Sequence, residues 1–127
     1  MRLLLDTQAF IWWLGDDRKL GAKSRRAIAD RSNDVYVSAA SAWEIALERR
    51  AGKLAAPGDI AGWIVECGFE PLPIEVGHAV CAAELPDHHR DPFERMLVAQ
   101  AQIEDLTLVA HDGEVGRYAV PVLDAAT

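Results

Sequence analysis

"RLLLD", residues 2–6, is a short apolar run closed by an acid. A continuous run of this length reads as a strand buried on both faces, ending at Asp6. Three later segments also read as strands: "DVYVSA" at 34–39, alternating and β-branched, "LTLVA" at 106–110 and "VPVLD" at 120–124. "FEPLPI" at 69–74 is extended too, but its prolines confine it to an edge or a connection.

Segments with helical spacing separate these strands. Phe10, Trp13 and Leu14 stand at i, i+3, i+4, and residues 22–31 form a basic helix. Trp43, Ala46, Leu47 and Arg50 share a face of the next helix, with Gly52 as its stop. After a turn at Pro57 and Gly58, Ile60, Trp63, Ile64 and Cys67 mark another. Val76, Ala79, Val80 and Ala83 mark a fifth, closed by Pro86. A helix then runs to residue 105, and a short one covers 113–118. Strands alternating with helices require crossovers, so the predicted fold is α/β, with a mostly parallel central sheet covered on both faces. Residues 1–127 form one domain, without repeats or linkers. In such sheets, sites form beyond the carboxyl ends of the strands. That puts Asp6 and Asp112 on one edge.

Composition narrows the function classes. Half the residues are hydrophobic and 26% are charged, which suits one ordered core. No apolar run is long enough to span a bilayer, and Asp6 interrupts residues 3–14 with no cleavage site after them. The predicted compartment is the cytoplasm, with no membrane partner. Cys67 and Cys81 lack finger spacing and are expected as buried free thiols. The net charge of −7 argues against non-specific nucleic-acid binding through a basic surface. It leaves room for a nucleic-acid enzyme whose acids are neutralised by cations. Six of the 13 basic residues, Arg18, Lys19, Lys23, Arg25, Arg26 and Arg31, lie within 18–31. They read first as a solvated helix face, and second as a contact for phosphates or an acidic partner.

Two helix starts carry acids. "SAWE" at 41–44 has capping-box form, with Ser41 as N-cap and Glu44 at N3. "DPFE" at 91–94 matches it, with Asp91 as N-cap, Pro92 at N1 and Glu94 at N3. Capping alone would explain either segment. In a parallel sheet, however, both helices begin near the edge where the strands end. Asp6, Glu44, Glu94 and Asp112 then converge from distant parts of the chain. Such a cluster raises its own pKa values unless a cation sits among the carboxylates. Carboxylate oxygens suit Mg²⁺ or Mn²⁺.

"LLLDTQAFIWWL" at 3–14, "SAASAWEIALERRAGKL" at 38–54, "LPDHHRDPFERMLVAQA" at 85–101 and "LTLVAHD" at 106–112 occur in order. Through them the chain resembles PIN-domain proteins, specifically the VapC-type toxins of bacterial toxin–antitoxin pairs. The resemblance implies a PIN-like three-layer α/β/α sandwich and a Mg²⁺- or Mn²⁺-dependent endoribonuclease. It carries catalytic roles to Asp6, Glu44, Glu94 and Asp112. Metal ligation falls to Asp6, Glu94 and Asp112, with Asp91 a further candidate. Glu44 would orient the attacking water, and products would carry 5′-phosphate and 3′-hydroxyl ends. The implied partners are an RNA substrate, a cognate VapB-like antitoxin and a second copy of the chain. Glu94 stands where this subgroup usually has Asp, Ala110 where it has a small hydroxyl residue, and "DTQ" where it has "DTH". Arg49, Arg95 and the basic cluster are candidate contacts for RNA or antitoxin.

Two other readings compete. His88, His89 and Asp91 suit a histidine-centred metal phosphoesterase. Their position between Pro86 and an N-cap suits a surface loop better, with the adjacent rings pointing apart. A non-catalytic binding module rests on Glu94 and Ala110. His78 reads as structural, and His111 as a loop residue beside Asp112. Trp12, Trp13, Trp43 and Trp63 mostly follow core spacing. Adjacent Trp12 and Trp13 are not expected to face one core, which would leave one tryptophan for a partner surface.

Overall fold

The first strand, β1 (Arg2–Leu5), occupies the centre of the sheet, as its apolar run requires. The structure is a computed structural model describing residues 1–127. β1 pairs in parallel with β2 (Asp34–Ser38) on one side and β4 (Thr107–Ala110) on the other. β3 (Glu70–Leu72) and β5 (Val122–Asp124) pair outside them, giving the all-parallel order β3-β2-β1-β4-β5. The proline-rich segment is therefore an edge strand, where lost donors cost little.

Six helices provide the crossovers: α1 (Thr7–Leu14), α2 (Ala22–Ala29), α3 (Ala39–Arg50), α4 (Ile60–Glu66), α5 (Val76–Glu84) and α6 (Pro92–Glu104). The expected short helix near 113–118 is a single 3₁₀ turn, Val115–Arg117. Side chains alternate across the sheet, so β1 feeds two cores. Leu3 and Leu5 join Phe10, Trp12, Ile28, Ile45 and Ile64 on one face, while Leu4 joins Leu97, Val98, Leu108 and Tyr118 on the other. The result is the expected α/β/α sandwich. Truncating Leu4, which is fully buried, to alanine should cost ~2–5 kcal/mol.

α3 bridges the two layers at the carboxyl edge. Ile45 belongs to the first core, Ala40 to the second, and the helix packs against both α1 and α6. It starts earlier than the capping-box pattern suggests. The N-cap is Ser38, whose hydroxyl accepts from Ala40 N–H, and Ser41 lies buried inside the first turn. β2 runs directly into α3, so one serine ends the strand and caps the helix. The C-terminus ends as expected. Gly52 adopts φ +73°, and Lys53 and Gly52 N–H groups donate to Glu48 and Arg49 carbonyls in a Schellman pattern.

Three expectations about burial change. The face of α3 bearing Trp43, Ala46, Leu47 and Arg50 is exposed, while Ala40, Ser41 and Ile45 are buried. Trp12 and Trp13 pack against the same core, and the exposed indoles are Trp43 and Trp63. Both cysteines are free, as expected, but only half-buried.

Candidate functional site

Asp6 follows the last residue of β1 and caps α1, its Oδ1 accepting from Ala9 N–H at 2.7 Å. Its backbone N–H donates to Val109 of β4, so the residue is pinned between two strands. It is only 3% exposed. Burial pushes its carboxyl up to about 7, against the Ala9 hydrogen bond and with the nearby charges of Glu44 and Asp112 adding to the rise.

Glu94 enters from α6. Asp91 caps that helix as expected, its Oδ1 accepting from Phe93 N–H at 2.9 Å, with Pro92 following. Glu94 does not close a capping box, because Asp91 N–H donates instead to His89 Nδ1 at 3.0 Å. Its side chain is 9% exposed, and Oε2 is buried without a hydrogen-bond partner. Burial first, then the charges of Asp6, Asp112, Asp91 and Glu44, push its carboxyl up to about 9.

Glu44, in the first half of α3, is half-buried, and desolvation raises its carboxyl above the ordinary range. The Thr7 hydroxyl lies beside it and favours the ionised form, though without full hydrogen-bond geometry. Asp112 follows β4. Burial works against its charge, but hydrogen bonds from His89 Nε2 (2.7 Å) and Glu114 N–H (2.8 Å) hold its carboxyl below the usual range. The four acids expected from sequence thus influence one another electrostatically from four separate elements, with Asp91 on their rim.

The donor set is all carboxylate, which fits a hard divalent cation. No three of these groups form a ready-made ligand cage. A Mg²⁺ site needs only one or two carboxylates, the rest being water and phosphate oxygens. Glu94 Oε2, buried and unpaired beside other acids, is the atom that a cation at this edge would fit. Asp6, Glu94 and Asp112 could hold it. Asp6 and Asp91 each give one oxygen to a helix cap, and Asp112 accepts at both oxygens, each of which keeps a second lone pair.

His89 does more than its loop position suggests. Nδ1 accepts from Asp91 N–H, so Nε2 carries the proton and donates to Asp112. The imidazole therefore links the start of α6 to the end of β4. His88 turns elsewhere, edge-on to Tyr118 at 5.0 Å. The adjacent histidines point apart, as expected, and do not share a site. His78 is buried and structural, donating from Nε2 to Glu104 at 3.0 Å while Nδ1 accepts from Glu75 N–H.

Arg95 is a clamp inside the protein. Its guanidinium donates to the carbonyls of Ala82, Leu85, Pro86 and His89, which ties the C-terminus of α5 to the histidine loop. Its side chain is 13% exposed, so it is not a free RNA contact. In the basic cluster, Arg25 likewise holds Asp16 and the carbonyls of Leu20 and Asp17, while Arg18, Lys19, Lys23, Arg26 and Arg31 are exposed. The helix ends at Ala29, two residues earlier than its pattern suggests. An apolar cleft lined by Ile11, Leu14, Ile45 and Trp63 contains none of the clustered acids.

Residues 3–121 match the family described as PIN domain. An alignment 60 positions long, covering 44% of this chain and 43% of the relative, gives 38% identity to Ribonuclease VapC16 of Mycobacterium tuberculosis. The crystal structure of VapBC2 from Rickettsia felis, bound to a promoter DNA fragment, aligns with TM-score 0.68 and 13% identity, over 97% of this chain and 98% of that one. A toxin–antitoxin complex from Klebsiella pneumoniae gives 0.68 and 16%, over 97% of each chain. FitAcB from Neisseria gonorrhoeae gives 0.57 and 20%, again over 97% of each. At these identities the structural likeness speaks for the fold, and the family match covers almost the whole length: the chain belongs to the PIN-domain family.

Proposed function

We propose that this chain is a Mg²⁺- or Mn²⁺-dependent endoribonuclease, the toxin of a toxin–antitoxin pair. One observation carries the reading: acids from β1, α3, α6 and the end of β4 gather at one edge, with Glu94 Oε2 buried and unpaired among them. Structural roles do not account for Glu94, whose buried and unpaired carboxyl works against the folded state.

When bound, the cation supplies neutralisation of phosphate charge and lowers the pKa of water. Asp6, Glu94 and Asp112 hold it, with Asp91 in reserve on the rim. Glu44 orients the attacking water and takes up its proton, for which a raised carboxyl pKa suits it. His89 keeps Asp112 oriented. The products carry 5′-phosphate and 3′-hydroxyl ends. The proposed partners are a VapB-like antitoxin and a second copy of the chain, in the cytoplasm. The likeness to the toxin–antitoxin complex from Klebsiella pneumoniae supports the antitoxin.

The test is cleavage of cellular RNA by the purified chain with Mg²⁺ or Mn²⁺, reading new 5′-phosphate ends by sequencing. Metal-dependent ends that disappear in Asp6→Asn support the reading. Equal cleavage by Asp6→Asn, with loss instead in His88→Ala, would move the chemistry to the histidines. No cleavage by the wild type, or by Glu94→Asp, would leave a PIN-fold binding module.

A further inference from the structure

Both acid-bearing helices place an aromatic residue immediately before the acid: Trp43–Glu44 on α3 and Phe93–Glu94 on α6. Successive helical side chains diverge by about 100°, so the aromatics share a flank beside the carboxylates. The rings meet there edge-to-face, with centroids 5.3 Å apart and planes at 66°. Phe93 is packed against the core, whereas Trp43 is 61% exposed. The other exposed indole, Trp63, has no aromatic neighbour.

We propose that Trp43, steadied by Phe93, is a stacking platform for an unpaired nucleobase next to the scissile phosphate. The proposal rests on the reading of the substrate as RNA and gives that site its recognition chemistry. Charge cannot supply most of the affinity, because the chain carries −7 and the edge is lined with acids. Stacking needs no charge and accepts any base, since every base has a π-face. It also requires a base free of its helix, which favours single-stranded loops over duplex RNA. The contact with Phe93 orients the indole before binding, so less freedom is lost on docking. Ala46 and Leu47 carry the exposed strip about one turn further along α3, and a protein partner would cover the whole strip rather than the ring alone.

The experiment measures binding of a fluorescein-labelled single-stranded RNA of about ten nucleotides, within the range such sites cover. Ca²⁺ replaces Mg²⁺ so that binding is read without turnover. Trp43→Ala should weaken binding roughly 10-fold to 100-fold, the range for loss of one stacked base, and Trp43→Phe should recover most of it. An RNA with one base removed at the scissile-flanking position should bind wild type as weakly as Trp43→Ala binds the intact RNA, and the two losses should not add. The exposed position lets the circular dichroism of Trp43→Ala serve as a fold control. RNA binding by the wild type that Trp43→Ala leaves unchanged overturns the platform and spares the nuclease reading. Loss of antitoxin binding by Trp43→Ala without loss of RNA binding assigns the ring to a protein partner and also overturns it. No RNA binding by the wild type overturns both.

Discussion

Asp6 and Glu94 on one side, Asp112 and Asp124 on the other, are carboxylates at the same edge of one sheet, yet they are driven in opposite directions. The first two lie inside and are pushed up, to about 7 and about 9, chiefly by burial. The second two have histidine partners and stay low. Burial opposes Asp112, but His89 and Glu114 donors prevail. For Asp124, the Ala126 N–H bond leads and His111 adds to it. The difference lies first in burial and second in the number of donors offered to each carboxylate. One half of the edge is satisfied by the protein itself, and in the other half Glu94 Oε2 has no partner. A fold optimised for stability alone would not leave Glu94 in that state.

The widest gap between the halves should appear in catalysis. Asp6→Asn keeps the cap acceptor for Ala9 while removing the charge. It should lower RNA cleavage by roughly 10²–10³-fold, in line with loss of one preorganised electrostatic group. Unchanged circular dichroism would show that the fold survives. Activity within a few-fold of wild type would remove Asp6 from the machinery.

Glu94→Gln tests the cost of the unsatisfied half directly. The folded-state pKa of Glu94, about 9, lies above its ordinary value of 4.5, so ionisation opposes folding. The unfolded chain releases the proton from about pH 4.5 upward while the folded chain retains it. Metal-free stability should therefore fall between those values, by on the order of 3 kcal/mol near neutrality. Gln removes the titration, so the variant should melt several degrees above wild type at pH 8 and no higher at pH 4. The same melting temperature at both pH values would mean that Glu94 is not buried as described.

Cation binding should close part of the gap. At a free concentration of 100 times Kd, Mg²⁺ or Mn²⁺ bound only to the native state adds about 2.7 kcal/mol. Thermal melts of the wild type should shift upward at neutral pH, and Asp6→Asn should lose most of the shift. A shift of equal size in both proteins would place the cation elsewhere.

Much of this edge was legible beforehand because parallel topology is a strong constraint. Once "RLLLD" and "LTLVA" are strands joined by crossovers, Asp6 and Asp112 must emerge together, and the helix starts must bring Glu44 and Glu94 near them. What sequence could not give was orientation. On α3, apolar residues occupy both faces, so periodicity finds Trp43 and Leu47 but cannot tell that the small Ala40 and Ser41 turn inward, where helices approach closely. "SAWE" and "DPFE" both look like capping boxes, because the residues that cap a helix and those that gather at a cation site are the same. Only the hydrogen bonds of Ser38 and His89 separate the two. The reach of His89 to Asp112, 23 residues away, is set by the loop that Arg95 and Tyr118 hold.

The two histidine–carboxylate pairs offer the finest comparison. His89–Asp112 and His111–Asp124 have nearly equal lengths, 2.7 and 2.8 Å. His89 is 17% exposed and held at Nδ1 by Asp91 N–H, whereas His111 and Asp124 are both more than half exposed. Distance alone would rank them as equals; burial and the second hydrogen bond do not. His89→Ala should cost about 1 kcal/mol, a charge-assisted bond discounted for the partial exposure of Asp112. It should also let the Asp112 carboxyl rise toward its ordinary range, a change measurable by carboxyl NMR titration. The stability that Asp112 contributes is present above the unfolded pKa and lost as pH falls through its lower folded value, so the deficit of His89→Ala should shrink in acid. His111→Ala removes a screened surface pair and should move the melting temperature by less than about 2 °C at any pH. If His111→Ala were the more damaging of the two, the satisfied half of the edge would be organised around β5, and the Asp112–His89 link would not be what holds it.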